Sequence, residues 1–445
     1  PLKPYLDIDE IIGLAKSKNV DAIHPGYGFL SENSGFARAC AKNGIIFIGP
    51  NPEVMDALGD KITAKKIASK CHVPIIEGNK KKLTSLKIAL SEAKNIGYPL
   101  MLKAASGGGG RGMRIVRTPE DLKINFDSAR NESLNAFGDD TMFLEKYVED
   151  PKHIEVQIVA DNHRNIRHLH ERDCSVQRRH QKVVEIAPSF NVSKKVKQNL
   201  YKYALAIAEE VNYNNIGTVE FLLDKEDNVY FIEVNPRIQV EHTVTEMVTG
   251  IDLVKTQIFV AGGYKLSDKQ IKIYEQDTIA TYGFALQCRI TTEDPENNFT
   301  PDYGTITTYR SASGMGIRLD AGSIYQSYKV SPFFDSMLVK VSAHGRTLDG
   351  AVRKMVRALK EFRVRGVKTN IHFLQNVIQH PEFYEGKVTV NFIQNTPSLF
   401  KIKLSQDRST KIINYLGEVI VNGNPDVKFI EETKVFRDAK VRSFF

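Results

Sequence analysis

Thr218-Val219-Glu220-Phe221-Leu222-Leu223, then Asp224-Lys225-Glu226-Asp227-Asn228, then Val229-Tyr230-Phe231-Ile232-Glu233-Val234 read as two apolar strands joined by a five-residue polar turn. Each strand carries one acid. A carboxylate inside an apolar strand is costly unless it is paired, protonated or bound to a cation. In a hairpin with this turn, Glu220 falls opposite residue 232 or 233, so the two acids face each other and repel. Two readings stay open: the exposed face of an edge strand, or a site where a divalent cation is held by oxygen ligands and shared with substrate phosphates. The continuation favours the second. Glu233, Asn235, Arg237, Gln239 and Glu241 alternate with Val234, Pro236, Ile238 and Val240. A period of two puts the five polar groups on one face of an extended segment, and Pro236 makes that segment one leaving a sheet rim. Arg237 and Gln239 suit a clamp for a small planar oxyanion, and Glu241, at the far end, suits a base.

Upstream, Lys103 precedes Ser106-Gly107-Gly108-Gly109-Gly110-Arg111-Gly112, which sits between two apolar strands. Successive glycines let the backbone approach a ligand closely and turn its N–H groups toward an anion. The loop runs into Met113-Arg114-Ile115-Val116, a strand, whereas a dinucleotide-binding turn opens a helix. Met113 also stands where a Walker loop needs lysine. What remains is a strand–loop–strand flap over phosphates with Lys103 as their cation; the plainer alternative is a flexible hairpin tip. Gln177-Arg178-Arg179-His180-Gln181-Lys182 forms a further cationic cluster in a loop, with a nucleic-acid patch or a solvated loop as its alternatives. No aromatics interleave there, which weighs against a single-strand platform. His168 and His170, with His163, read as a strand face rather than a zinc site. Cys174 lacks any recognisable His–acid arrangement and is not assigned as a nucleophile. His24 opens a loop at a strand end, where α/β sheets place ligands.

The chain has 445 residues, enough for two to four domains of the usual roughly 100–200 residues. With 42% apolar and 26% charged residues its composition is globular. No apolar run approaches the roughly 18 residues of a membrane span, so an integral membrane protein is excluded. Lys plus Arg at 61 against Asp plus Glu at 53 gives net +8, which favours anionic ligands without specifying one. Cys40, Cys71, Cys174 and Cys288 are far apart and form no C-x-x-C pair, which points to a reducing compartment. Pro1-Leu2-Lys3-Pro4 carries no signal sequence, and the chain reads as a fragment. A cytoplasmic location is expected, or the mitochondrial matrix in a eukaryote. To about residue 60 the pattern alternates helix and strand, as in a parallel sheet. A boundary is placed near residue 75, followed by a small α+β unit and then strands at 153–160 and 165–170, a long helix at 193–211, further β structure to about 343, and two helices at 348–362 and 370–379.

Taken together, the glycine flap with Lys103, the paired strand acids and the run Glu233–His242 resemble the ATP-grasp family and, within it, biotin carboxylase. The resemblance runs from about residue 5 to about 390. It includes His24-Pro25-Gly26-Tyr27-Gly28-Phe29-Leu30-Ser31-Glu32-Asn33, Leu58-Gly59-Asp60-Lys61 and Glu171-Arg172-Asp173-Cys174-Ser175-Val176 continuing into 177–182. The stretches 363–370, 316–322 and 407–423 are similar to the pyruvate carboxylase branch in particular. The resemblance implies an α/β fold: an incomplete amino-terminal doubly wound (pre-ATP-grasp) domain and linker at 1–75, an ATP-grasp lid with the glycine loop at 76–148, the ATP-grasp core with a β-rich carboxy-terminal biotin carboxylase region at 149–391, and a linker at 392–445.

It further implies ATP- and bicarbonate-dependent carboxylation of biotin through carboxyphosphate, as a module of a pyruvate carboxylase. On that likeness Lys61, Lys103 and Gly108, Gly109 and Gly110 hold ATP phosphates, Glu145, Lys146 and Val148 form the adenine hinge, and His153, Gln177 and His180 line the ribose and phosphate region. Glu220, Glu233 and Asn235 carry Mg²⁺ or Mn²⁺; Lys182, Arg237, Gln239 and Val240 bind bicarbonate; Glu241 is the general base and Arg318 steadies biotin. No Met-Lys-Met attachment sequence occurs, so biotin is expected on a carrier domain or chain, with a carboxyltransferase domain and a homo-oligomer as further partners and neither nucleic acid nor membrane. The alternatives are the same module of an acyl-CoA carboxylase, another carboxylate–amine ATP-grasp ligase, or a non-enzymatic module binding anions or nucleic acid through 177–182.

Overall fold

The amino-terminal alternation folds as its periodicity predicts: α1 (Ile8–Ser17), β1 (Ala22–Ile23), α2 (Ser34–Lys42) and β2 (Ile46–Phe47), with β1 and β2 parallel through Ala22↔Ile46. The structure, a computed structural model, describes residues 2–79, 83–104, 113–322, 324–401 and 408–423. Asp7 and Asn33 cap the two helices by accepting the N–H groups of Glu10 and Phe36. α3 (Pro52–Gly59) leads into α4 (Lys61–Lys70), whose cap Asp60 accepts the N–H of Thr63 at 2.8 Å. That cap starts the helix at Lys61, and Lys65 then follows one turn later on the same side.

The next unit is α5 (Leu86–Ile96), β3 (Leu100–Ala104), β4 (Arg114–Val116), α6 (Pro119–Phe137) and β5 (Met142–Lys146). Its antiparallel sheet has the order β4-β3-β5, and Ala89, Ala93, Leu122 and Phe126 of the helices bury against Leu100, Leu102 and Leu144. β3 and β4 are the predicted strands on either side of the glycine loop. The loop itself, with Gly108, Gly109 and Gly110, lies outside the described residues.

β6 (Lys152–Ala160), β7 (Ile166–Arg178), β8 (Gln181–Ala187), α7 (Lys194–Glu210), β9 (Asn215–Leu223), β10 (Val229–Asn235), α8 (His242–Thr249), α9 (Leu253–Ala261) and β11 (Phe284–Thr291) follow. β12 (Glu293–Asp294), β13 (Thr300–Pro301) and β14 (Thr308–Arg310) are short, and β15 (Ile317–Ala321) and β16 (Met337–Gly345) complete one eight-stranded antiparallel sheet. Its order is β10-β9-β6-β7-β8-β11-β16-β15. α7 presents Val196, Leu200, Ala204 and Ile207 to Val156, Phe221 and Phe231, the alternate residues of β6, β9 and β10. α10 (Leu348–Glu361), β17 (Arg363–Arg365), which pairs with β14, α11 (Ile371–Ile378), α12 (Pro381–Tyr384) and α13 (Phe392–Asn395) close the other end over β11 and β16. This is the mixed α/β architecture expected, with a large antiparallel sheet.

Three expectations change. The cationic stretch 177–182 is not a loop: β7 runs through Arg178, Gln177 pairs with Lys182 and Arg178 with Gln181. Only Arg179 and His180 form the turn, both at positive φ, 50° and 65°. Glu171, Arg172 and Asp173 disguised the strand because their charges are buried and satisfied by partners, which hydropathy does not show. Residues near 75, expected at a junction, also add to the sheet edge: Phe231 donates its N–H to Pro74 O at 2.8 Å. Finally, residues 392–401, expected within a linker, bury Phe392, Ile393 and Leu399 in the core around β11 and β16. Residues 1–401 form one compact unit, and α14 (Arg408–Asn422) belongs to a second. No helix among the described residues is long and apolar enough to cross a membrane.

Phe373, fully buried, packs edge-on against Phe299 with ring centroids 4.9 Å apart. Phe373→Ala is expected to cost about 3–5 kcal/mol of unfolding free energy, read by denaturant titration. A loss under about 1 kcal/mol would show that this end of the core contributes little to stability.

Candidate active site

The antiparallel register sets charged residues in one line across four strands. Glu233 of β10 faces Glu220 of β9, Glu220 faces Glu155 of β6, and Glu155 faces Arg172 of β7. Alternation puts these side chains on the sheet face opposite the α7 core. Arg172 is fully buried. Its guanidinium binds Glu155, Gln157 Oε1 at 2.7 Å, Thr245 Oγ1 at 2.9 Å, Thr218 Oγ1 at 3.2 Å and Gln239 Oε1 at 2.9 Å. Gln239 donates through Nε2 to Glu220 Oε1 at 2.8 Å, so both ends of its amide are fixed.

The hub is Lys182, at the start of β8. Its ammonium donates to Glu155 Oε2 at 2.6 Å and to Glu220 Oε1 and Glu241 Oε1 at 2.7 Å each. Burial by itself would strip its proton; the three carboxylates outweigh burial and hold the ammonium charged. The reciprocal effect falls on the acids. Burial pushes the Glu220 carboxyl up, but Lys182 and then His153 override it and hold it well below the usual carboxylate range. Glu241 is likewise depressed against burial by Lys182, Arg289 and Arg172. Glu233 goes the other way, raised by burial and by the charge of Glu220. One acid raised beside one depressed is what two carboxylates sharing a buried site do.

Asn235 Nδ2 donates to Glu220 Oε1 at 3.0 Å, and Arg237 donates to Asn235 Oδ1 at 2.9 Å while also engaging Glu32. The chain leaves the sheet after Asn235 and turns, because the Arg237 N–H bonds Asn235 O at 2.9 Å and Glu241 already has the dihedrals φ −84°, ψ 5° at the start of α8. The strict two-residue alternation predicted for 233–241 therefore stops early, yet Asn235, Gln239 and Glu241 still converge on Lys182 and Glu220. The Val240 carbonyl accepts Lys340 Nζ at 3.0 Å. Arg289 joins Glu241 Oε2 at 3.0 Å to Glu185 Oε1 at 2.5 Å.

Beside this hub opens a cleft of about 1460 Å³, larger than the roughly 300–1,000 Å³ typical of a small-molecule site. Lys61, Lys103, Glu145, Lys146, Val148, His153, Gln177, His180, Glu220 and Glu233, all predicted, line it. Glu145, assigned to a hinge, directs its carboxylate to Lys65 and, at 2.5 Å, to Lys103. Lys146 Nζ secures Gly97 O and Tyr98 O at 3.0 Å each. Lys61 stands 3.7 Å from Glu233. Gln177 Nε2 lies 2.7 Å from His153 Nδ1, and His153 Nε2 lies 2.9 Å from Glu220 Oε2. Burial, Lys103 and His153 lower the His180 pKa, favouring its neutral imidazole.

Arg318 lies outside the cleft-lining residues, on β15, paired with Glu246 at 2.5 Å and Asp320 at 2.8 Å. Among the described residues two groups of three His, Cys, Asp or Glu side chains could hold a metal, His153 with Glu155 and Glu220, and Glu155 with Cys174 and Glu241; of the predicted metal ligands only Glu220 is in either, His168 and His170 are in neither, and His168 stacks on Tyr201 at 3.9 Å. Cys174 is wholly buried and its thiol is raised by burial, which leaves no nucleophile there. Sequence reasoning missed Glu155, Arg172, Arg289 and Lys65. Glu155 had a signal, being an acid inside the apolar run 154–160 like Glu220; Lys65, four residues after Lys61 on a helix, had another.

Three family models match the chain in order: biotin carboxylase, N-terminal domain, over 1–55; carbamoyl-phosphate synthase L chain, ATP binding domain, over 60–269; and biotin carboxylase C-terminal domain over 287–395. A pyruvate carboxylase of Staphylococcus aureus (strain Mu50) is 54% identical over 428 residues, covering 96% of this chain and 37% of that protein. The biotin carboxylase domain of the 2-oxoglutarate carboxylase of Hydrogenobacter thermophilus, solved as a dimer with MgADP, ADP and bicarbonate, is 43% identical with a TM-score of 0.86, over 91% of this chain and 88% of that one. Pyruvate carboxylase of Rhizobium etli, solved with acetyl coenzyme A, is 51% identical with a TM-score of 0.86, over 96% of this chain and 37% of that one. The chain thus spans little more than a third of the length of the pyruvate carboxylases it matches.

Lys182→Met strands Glu155, Glu220 and Glu241 without their shared cation. The pKa of Lys182 is raised on folding, so its stabilisation is fully present at pH 7.5, below the unfolded value of about 10.4. The variant is expected to lose about 3–5 kcal/mol at pH 7.5 and less at pH 5, where protonation relieves the stranded acids; denaturant titration at both values checks this. An equal loss at both would contradict the charge account.

Proposed function

The chain belongs to the biotin carboxylase family, and on that footing we propose that it carboxylates biotin with bicarbonate and ATP, as the biotin carboxylase module of a pyruvate carboxylase. The observation that carries this reading is the convergence of Lys182, Gln239 and Glu241 with Glu220 and Glu233 at the edge of the cleft that Lys61 and Lys103 line. The cleft lysines suit a polyphosphate, and the cations Lys182 and Arg237 suit a small planar anion. Arg237 now meets Asn235 and Glu32, and an incoming bicarbonate competes for its fork.

In the first step a bicarbonate oxygen attacks the terminal phosphoryl in line, ADP leaves, and Glu241 accepts the bicarbonate proton, giving carboxyphosphate. The chain's part is positioning and charge neutralisation. Glu241 is ionised at neutral pH, as an acceptor must be, and drawing Lys182 toward bicarbonate loosens its hold and raises the carboxylate's basicity. Glu220 and Glu233, hard oxygen donors opposite each other with Asn235 adjacent, suit a divalent cation by their chemistry. Mg²⁺, or Mn²⁺, bound there would neutralise charge on the phosphates. Lys61 and Lys103 serve the phosphates, Glu145, Lys146 and Val148 the base, and His153, Gln177 and His180 the region between. Arg318, steered by Glu246 and Asp320, steadies biotin's ureido oxygen. Residues 76–148 act as the lid that keeps water from the mixed anhydride.

The remaining parts are carried elsewhere: biotin on a carrier domain, acceptor chemistry on a carboxyltransferase domain, in a homo-oligomer. Pyruvate as acceptor rests on the relatives' names, and a cytoplasmic or, in a eukaryote, mitochondrial matrix location fits a human relative called mitochondrial. The acyl-CoA carboxylase and anion- or nucleic-acid-binding alternatives are not favoured; the latter loses its basis now that 177–182 is a hairpin whose Lys182 points into the acid cluster.

Full-length protein is expected to cleave ATP with Mg²⁺ only when bicarbonate is present. Glu241→Gln should lower biotin carboxylation by about 100-fold or more, the size of a lost general base, with ADP affinity unchanged. Loss of ADP affinity instead would contradict the role given to Glu241.

A further inference from the structure

The cleft holds a buried charge cluster that the reaction above uses only in part. Lys65 and Lys61 leave the same side of α4, Lys103 comes from β3, and Glu145 comes from the adjoining β5. The Glu145 side chain is 3% exposed and serves both lysines, Lys65 at Oε1 and Lys103 at Oε2, 2.5 Å away. Lys61 shares Glu233 at 3.7 Å. Among the described residues Lys65 and Lys103 thus share Glu145, and Lys61 adjoins Glu233, in a cleft whose other walls include Met101, Phe143 and Ile76, with Lys65 Nζ 6.0 Å from the Phe143 ring centre. The crowding has a cost. Burial, then Lys65 and Lys61, bring Lys103 down to about 7, and burial with Lys61 brings Lys65 down to about 8.

One carboxylate stretched between two lysines is a counterion that a ligand with more negative oxygens displaces. We propose that Lys65 is a further phosphate-binding residue of this cleft, and that Glu145 is the placeholder from which Lys65 and Lys103 pass to an arriving polyphosphate. The proposal rests on the nucleotide reading of the cleft and deepens it. It gives the α4 lysine a role in binding the anhydride portion of the nucleotide, and none toward the base. The competing account is a purely structural Lys65–Glu145 pair that ties α4 to β5.

Calorimetry on the full-length enzyme separates the two, with ADP and adenosine as ligands. Lys65→Met should weaken ADP by about 10–100-fold, the worth of one charge-assisted hydrogen bond, and leave adenosine unchanged; Lys65→Arg should restore ADP binding. Equal weakening of both ligands, or none, overturns the proposal. Should Lys65→Met fail to fold, Lys65→Gln takes its place in the same titrations: weaker ADP with adenosine unchanged supports the proposal, and equal weakening of both, or none, overturns it. Bicarbonate-dependent ATP cleavage in the wild type is measured alongside. Its absence would sink the proposed reaction rather than Lys65, while its presence with ADP affinity unchanged in Lys65→Met would sink Lys65 alone.

Discussion

One ammonium group among three buried carboxylates organises this protein. Lys182 lies 2.6–2.7 Å from Glu155, Glu220 and Glu241, residues contributed by β6, β9 and the segment after β10. Without it the cross-strand register would set Glu233, Glu220 and Glu155 side by side, an arrangement that repels. With it, and with Arg172 fully buried on the other side of Glu155, the row becomes a fixed pattern of charge in a setting of low dielectric. Ion pairs of this kind are weak contributors to net stability. What they supply is preorganisation, a floor of charged groups whose orientations are fixed before any ligand arrives.

The cleft and the hub also depend on each other through single residues. Glu220 is shared between Lys182, Asn235, Gln239 and His153. His153 reaches back through Gln177 into β7. The cleft and the hub thereby draw on the same carboxylate. The β7–β8 hairpin matters for the same reason. It delivers Gln177 and His180 to the cleft and Lys182 to the hub within six residues.

Much of this was legible in the sequence. The β9–β10 hairpin followed from apolar runs and a polar turn; the turn length left Glu220 opposite residue 232 or 233, and an irregularity between Phe231 and Glu233 selects Glu233. The lid strands β3 and β4 followed from the glycine run between two apolar stretches. What stayed hidden depends on long-range pairing. Arg172 and Glu155 are charged, so a hydropathy reading assigns them to a surface; only the β6–β7 register, Glu155↔Arg172, reveals that each is the other's reason for burial. The strand through 171–178 was lost for that reason. Arg289 and Glu185 were unreadable because their pairing joins β8 to β11 across about a hundred residues of chain. The polar row 233–241 was read as one extended face; Pro236 and the turn at Arg237 break that path, so Asn235, Gln239 and Glu241 meet at Glu220 and Lys182 while Arg237 turns to Glu32.

In the reaction proposed for this floor, a bicarbonate oxygen attacks the terminal phosphoryl of ATP. Turnover of the full-length enzyme in ¹⁸O-labelled bicarbonate, with mass analysis of the phosphate released, tests it most directly. Attack by bicarbonate leaves its bridging oxygen on phosphorus, so each phosphate should carry one labelled atom. Phosphate labelled only from water would contradict the account, because water and not bicarbonate would then be the nucleophile.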